Sequence, residues 1–171
     1  APFIVFDDAD LDKAVEGAMT SKYRNAGQTC VCTNRFLVQS GIHDAFVAKL
    51  SERVSALKVG NGTAEGTEIG PMIEAKALDK VEDHIADAVA QGANLLHGGR
   101  RLGGLFLEPA VLTGVTSRMK VASEETFGPL APVFQFETEQ QAIAMANDTI
   151  FGLAAYFFTR DHARVVRVSE A

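Results

Sequence analysis

No stretch of the chain approaches the roughly 20 apolar residues that a helix needs to cross a bilayer, and no basic segment leading into an apolar run opens it. The expectation is a cytoplasmic protein with no membrane partner. Positive charge is also scarce: 16 Lys and Arg stand against 22 Asp and Glu, with a pI near 5.2. Without a general basic field, nucleic acid is not expected as a partner. Cysteine is scarcer still, with Cys30 and Cys32 the whole supply. Two are too few for the disulfide framework of a small secreted domain. They are also too few for a structural zinc site, because there is no second pair and His43, His84, His97 and His162 are scattered. A starting methionine is missing as well. Ala1-Pro2 runs at once into Phe3-Ile4-Val5-Phe6, and the far end stops at Ala171 inside a helical pattern begun at Asp161. Both ends are expected to be cut from a longer protein.

What is present is enough for one globular domain with a real core: 171 residues, 47% of them hydrophobic. The patterns alternate. "FIVF" (3–6) is an apolar strand, and "DDADLDKAVEGAMTSKY" follows as a helix with Leu11, Ala14, Val15, Ala18 and Met19 on one face. "RFLVQ" (35–39) is a second strand, after which Phe46, Leu50, Val54 and Leu57 recur at helical spacing. Leu78, Val81, Ile85 and Val89 mark a third helix, ended by Gly92. "ANLLHGG", "LFLEPAVL", "APVFQFE" and "AAYFFT" read as further strands, with a helix around "EQQAIAMAND". Apolar strands separated by amphipathic helices predict an α/β domain with a mainly parallel sheet flanked by helices. The glycine-rich "GNGTAEG" lacks phosphate-loop spacing and reads as a solvated connection, and "HGGRRLGG" as a turn between strands.

The cysteines sit in "YRNAGQTCVC" (23–32), where a helix gives way to a strand. Two readings stay open on the residues alone. Free cysteines are often small buried core residues. Alternatively one is a nucleophile, which requires a thiolate favoured by nearby positive charge or backbone donors; Arg24 and the turn at Gly27 could supply both.

Asn25-Ala26-Gly27-Gln28-Thr29-Cys30, followed by Arg35 and a strand, resembles the catalytic-cysteine motif of aldehyde dehydrogenases, and Glu124-Glu125-Thr126-Phe127-Gly128-Pro129 resembles their second signature. "IVFDDADLDKAV", "IGPMI" (69–73) and "NDTIFGLAAYFFTRD" are similar to the same family in the expected order. Within the family the resemblance is to the succinate-semialdehyde dehydrogenases, which carry an arginine six residues before the catalytic cysteine and a second cysteine two residues after it. Arg24 and Cys32 match. The resemblance implies that Cys30 attacks the aldehyde and passes through a thioester, with NAD or NADP as cofactor. Arg24 would bind the carboxylate of a small-molecule semialdehyde, as a guanidinium does in two-pronged fashion. Glu125 would hold the nicotinamide ribose and Phe127 pack beside the nicotinamide end, while Asn25 shapes the loop. Cys32 would be the redox partner of Cys30 in a disulfide that switches activity off.

On the same resemblance, residues 1–171 are an incomplete catalytic domain. The general-base glutamate, the side-chain oxyanion asparagine, a second substrate arginine and the NAD(P)-binding domain lie upstream, and an oligomerisation strand lies downstream. The chain alone is therefore expected to be inactive, and the parent to be a homodimer or homotetramer. Glutarate semialdehyde is the alternative substrate. A non-catalytic redox or interaction module built on the Cys-x-Cys pair is the alternative of another class.

Overall fold

An apolar run such as Phe3 to Phe6 can be extended only where both faces are covered. The computed structural model, which describes residues 1–171, places strand β1 (Pro2–Val5) accordingly in the sheet interior. It lies between β2 (Arg35–Gln39) and β8 (Tyr156–Phe158), and β2 pairs on its other side with β7 (Leu130–Phe136), all in parallel. Beyond β7 comes β6 (Ala110–Thr113), also parallel, and then β3 (Asn94–His97), which is antiparallel and closes that edge. The expected mainly parallel α/β sheet is present.

Helix α1 (Leu11–Tyr23) starts at Asp10, whose carboxylate accepts from the Lys13 N–H, and it buries Ala14, Val15 and Ala18. It packs on α2 (Ser40–Ser55), which in turn covers β2, β6 and β7. Helix α3 (Ala75–Ala90) buries Leu78, Val81 and Ile85. Val89 departs from the expected face and is 46% exposed, because the inner stripe runs through His84 and Ala88 instead. Leu57 lies just past the end of α2 and is half-buried.

Two strand expectations change. "LFLEPAVL" is not one strand. Pro109, which has no N–H to donate, separates β5 (Phe106–Leu107) from β6. Part of "HGGRRLGG" is itself extended, since β4 (Arg101–Gly103) pairs antiparallel with β5 in a small separate ribbon. Its arginines face carboxylates: Arg100 meets Glu108 at 2.8 Å, and Arg101 meets Glu82 and Asp79.

A helical turn, α4 (Lys120–Ser123), precedes β7. Helix α5 (Glu139–Asn147) follows it, capped by Thr138. Arg35, at the start of β2, closes the other end of α5 by donating to the carbonyls of Met145 (2.6 Å) and Ala146 (2.9 Å). Helix α6 (His162–Ser169) begins at Asp161, as expected, with the Asp161 carboxylate capping Arg164 N–H.

Candidate active site

The chain leaves α1 through a kinked 3-10 turn, Arg24–Gly27. Asn25 (φ 51°), Ala26 (φ 54°) and Gly27 (φ 73°) are all left-handed there. For residues with a Cβ this conformation costs on the order of 1–2 kcal/mol each. The turn is held from both sides. The Asn25 side-chain amide donates to the Gln28 carbonyl at 3.0 Å, so Asn25 does shape the loop. The Gln28 side chain reaches the "IGPMI" segment, accepting from the Ile73 N–H at 2.8 Å and donating to the Pro71 carbonyl at 3.3 Å.

Gly27 is where the two motifs meet. A Cβ at Gly27 would lie 2.2 Å from the carbonyl oxygen of Gly128, so the backbones touch at a distance only glycine permits. Gly128 is pressed from its other side, where a Cβ would lie 2.5 Å from Val81 Cγ2 of α3. Two segments far apart in the sequence are thus locked to one another and to a helix.

Beyond this contact a tight turn, with Cys32 N–H donating to the Thr29 carbonyl at 2.9 Å, lifts Cys30 to the surface. The Cys30 backbone N–H donates to no protein group. Cys32 goes the other way: it is 3% exposed, with Sγ 3.7 Å from the Arg24 carbonyl, and both thiols are free. The Tyr156 hydroxyl donates to the Val31 carbonyl at 2.9 Å and ties this segment to β8.

Cys30 and Glu125 line one cavity of about 290 Å³, with Arg35, Ser123 and Leu153 among its other walls. Its walls come from the segments entering β1, β2, β7 and β8, so it sits at the amino ends of parallel strands. Nucleotide sites of open α/β sheets usually lie at the carboxyl ends. Glu125 is half-buried, and its carboxylate makes no hydrogen bond or ion pair with the protein, which leaves both oxygens free to accept. Phe127 lies on the same loop with φ 53° and 37% exposure, but outside that cavity's walls.

Arg24 is exposed and borders a different recess, shared with Val31, Cys32 and Tyr156. The structure thus brings Cys30 and Glu125 together, puts Cys32 beneath the turn, and sets Arg24 on the side of the turn away from the Cys30 cavity. Two buried polar residues were not singled out from the sequence. Lys22 is fully enclosed without a hydrogen-bond partner, and burial lowers its pKa to about 8, with Cys32 and Glu125 partly opposing the shift. His84 is fully enclosed beneath the Glu125 loop. Both stand at helical spacing from apolar face residues, Ala18 to Lys22 and Val81 to His84, which was the available signal.

The sequence and the fold both have close counterparts among known proteins. The chain is 61% identical over 171 residues to a glutarate-semialdehyde dehydrogenase of Pseudomonas putida, covering 100% of this chain and 36% of the relative. It is 62% identical over 172 residues to a 3-sulfolactaldehyde dehydrogenase of Pseudomonas putida (99% and 35%). It is 60% identical over 173 residues to the NADP(+) succinate-semialdehyde dehydrogenase GabD of Escherichia coli (100% and 36%). The solved structure of succinate-semialdehyde dehydrogenase from Burkholderia pseudomallei superposes with a TM-score of 0.98 at 63% identity, over 99% of this chain and 36% of that one. The chain spans about a third of the length of the relatives it matches. The profile of the Aldehyde dehydrogenase family matches residues 1–171, and the chain belongs to that family.

Proposed function

We propose that the complete protein oxidises an aldehyde bearing an anionic group at its far end, succinate semialdehyde to succinate in the first instance, and that Cys30 is the nucleophile. One observation carries this reading: the exposed Cys30 and the unpaired Glu125 carboxylate line a single cavity, and the segments that carry them are joined by the Gly27–Gly128 contact. Residues 1–171 are then the cysteine-bearing part of the catalytic domain, working in the cytoplasm within a homodimer or homotetramer.

The thiolate of Cys30 adds to the aldehyde carbon to give a thiohemiacetal, and its unpaired backbone N–H is available to the developing oxyanion. After oxidation a thioester remains on Cys30, and water releases the acid. NAD or NADP, when bound, supplies the hydride acceptor for this oxidation. Glu125 suits that group, since a carboxylate with both oxygens free can accept from the two hydroxyls of a ribose. Phe127 stands on the same loop with its ring exposed, and would pack beside the nicotinamide end when the cofactor is bound.

The relatives' names narrow the substrate to a class. Succinate and glutarate semialdehydes end in a carboxylate and 3-sulfolactaldehyde in a sulfonate, at 60 to 62% identity to this chain. Terminal negative charge is what they share, and Arg24 is the exposed cation beside the Cys30 segment. Glutarate semialdehyde therefore stands next to succinate semialdehyde as a substrate.

The test is made on the complete protein. Turnover of succinate semialdehyde with NAD(P) should fall about a thousandfold or more in Cys30→Ser, and mass spectrometry of acid-quenched enzyme should find the acyl group on the Cys30 peptide. Turnover that survives in Cys30→Ser, or an acyl group elsewhere, would sink the assignment. Cys32 is proposed as the redox partner of Cys30: one peroxide takes two thiols to a disulfide and two waters. Peptide mapping after mild peroxide should show a Cys30–Cys32 link that dithiothreitol reverses together with the lost activity. Activity that falls with no such link rules the pairing out.

A further inference from the structure

The Glu125 loop is gripped from below by one histidine. His84, on α3, is 0% exposed, with Nδ1 3.0 Å from Thr126 Oγ1 and Nε2 3.2 Å from Glu124 Oε2. The two contacts bracket Glu125. An ionised carboxylate only accepts, so Nε2 carries the proton, Nδ1 is the acceptor, and the Thr126 hydroxyl donates to it. Thr126 is itself buried at 3% exposure, and neither it nor Glu124 has another side-chain partner. The next residue, Phe127, is left-handed, and the one after, Gly128, rests against Val81 one turn before His84 on the same helix. A strained loop is thus held to α3 by a neutral imidazole and a glycine contact. Burial lowers the pKa of His84 against the opposing influence of Glu124, while Lys80 lowers it further and Asp83 raises it.

We propose that His84 is a positioning residue for the candidate site: by pinning Thr126 and Glu124 on either side of Glu125, it presets the carboxylate that receives the cofactor ribose. The proposal rests on the reading of Glu125 given above. Losing the imidazole leaves a buried hydroxyl unpaired and frees the loop, so a cofactor must order the segment as it binds. Protonating it has a related effect: Nδ1 then donates, the Thr126 hydroxyl has to turn round, and a charge is enclosed. The folded pKa lies below the ordinary value, so the unfolded or opened state binds more protons. The clamp is complete at and above neutral pH and weakens as the pH falls below about 6.5.

The test compares His84→Phe, Thr126→Val, Thr126→Ser and Glu125→Gln in the complete enzyme. It reads NAD(P) dissociation constants by titration, the aldehyde KM, and amide hydrogen exchange of residues 124–128 without cofactor. His84→Phe and Thr126→Val should each weaken cofactor binding about tenfold and speed exchange across 124–128, with the aldehyde KM changed less than twofold. Thr126→Ser keeps the hydroxyl and should restore wild-type values. After correction for intrinsic rates, exchange in the wild type should quicken as the pH falls from 7 to 5.5, a response absent in His84→Phe. Wild-type exchange and affinity in both His84→Phe and Thr126→Val would overturn the proposal; should His84→Phe fail to fold, Thr126→Val decides alone. Unchanged cofactor affinity in Glu125→Gln would instead overturn the role given to Glu125, with exchange still judging the clamp.

Discussion

A lysine enclosed without a partner opposes folding. Lys22 titrates at about 8 instead of 10.5, and at about 1.4 kcal/mol per pH unit its charge opposes folding by about 3 kcal/mol at pH 7. The sign follows from proton counting. Between about pH 8 and 10.5 the unfolded chain holds a proton that the folded chain does not, so stability rises with pH through that window. Lys22→Met, similar in length and without charge, should therefore raise the unfolding free energy of this chain at pH 7 by up to about 3 kcal/mol. The gain should vanish by pH 10.5. Denaturant titrations of both proteins at the two pH values check this, and an equal difference at both would show that charge is not the cause. At this scale the sequence was only partly legible. The motifs named Cys30, Glu125 and Phe127, whereas the backbone contact of Gly27 with Gly128 and the burial of Lys22 and His84 arise from tertiary packing. Arg24 is the residue whose surroundings differ most from expectation: it opens on the recess of Cys32 and not on the cavity of Cys30.

At the scale of elements, periodicity worked where an element is long or buried on both sides. β2 was placed residue for residue, and α1 and α3 within a few residues, because each buries a continuous stripe; α5 buries only Ala142 and was legible from its length and composition. It failed for β4, three exposed residues paired only with β5, and for α4, a single turn with one buried side chain. The last helix shows what patterns cannot reveal. α6 buries no residue fully, and its docking depends on charge. Arg164 stacks over Phe6 at 4.5 Å, pairs with Asp8 at 2.8 Å and meets Glu139 at 3.0 Å, while Arg167 meets Glu139 at 2.7 Å. The hydrogen bond from Arg167 foremost, opposed by burial and helped by Arg164, holds the Glu139 carboxyl down to about 2. A lowered carboxylate stabilises above its unfolded value near 4.5 and stops doing so as the pH falls toward 2. Hydrogen exchange in α6 should accordingly accelerate as the pH drops through that window, after correction for intrinsic rates. In Glu139→Gln the fast behaviour should already be present at pH 6. If α6 in Glu139→Gln exchanges as slowly as in the wild type at pH 6, this network does not hold the helix.

Across the whole molecule, the fold brings four helix-to-strand or entering segments to the amino ends of the parallel strands, and the cavity of Cys30 and Glu125 forms among them. Chain order alone could not reveal this convergence, although two motifs of one family implied it. The α/β class was legible because parallel strands covered on both sides are written as apolar runs. Recognition of an anionic end by Arg24 joins two recesses, since Arg24 lies near Cys30 in sequence but borders the recess of Cys32. The most direct test is kcat/KM of the complete enzyme for succinate semialdehyde against butanal, an uncharged aldehyde of equal carbon count, in the wild type and in Arg24→Ala. A preference of about tenfold or more for the semialdehyde, lost in Arg24→Ala, is the predicted result, in line with about 1.5–3 kcal/mol for a charged hydrogen bond. Equal rates on both aldehydes in the wild type, or a preference that survives in Arg24→Ala, would contradict recognition of the anion by Arg24.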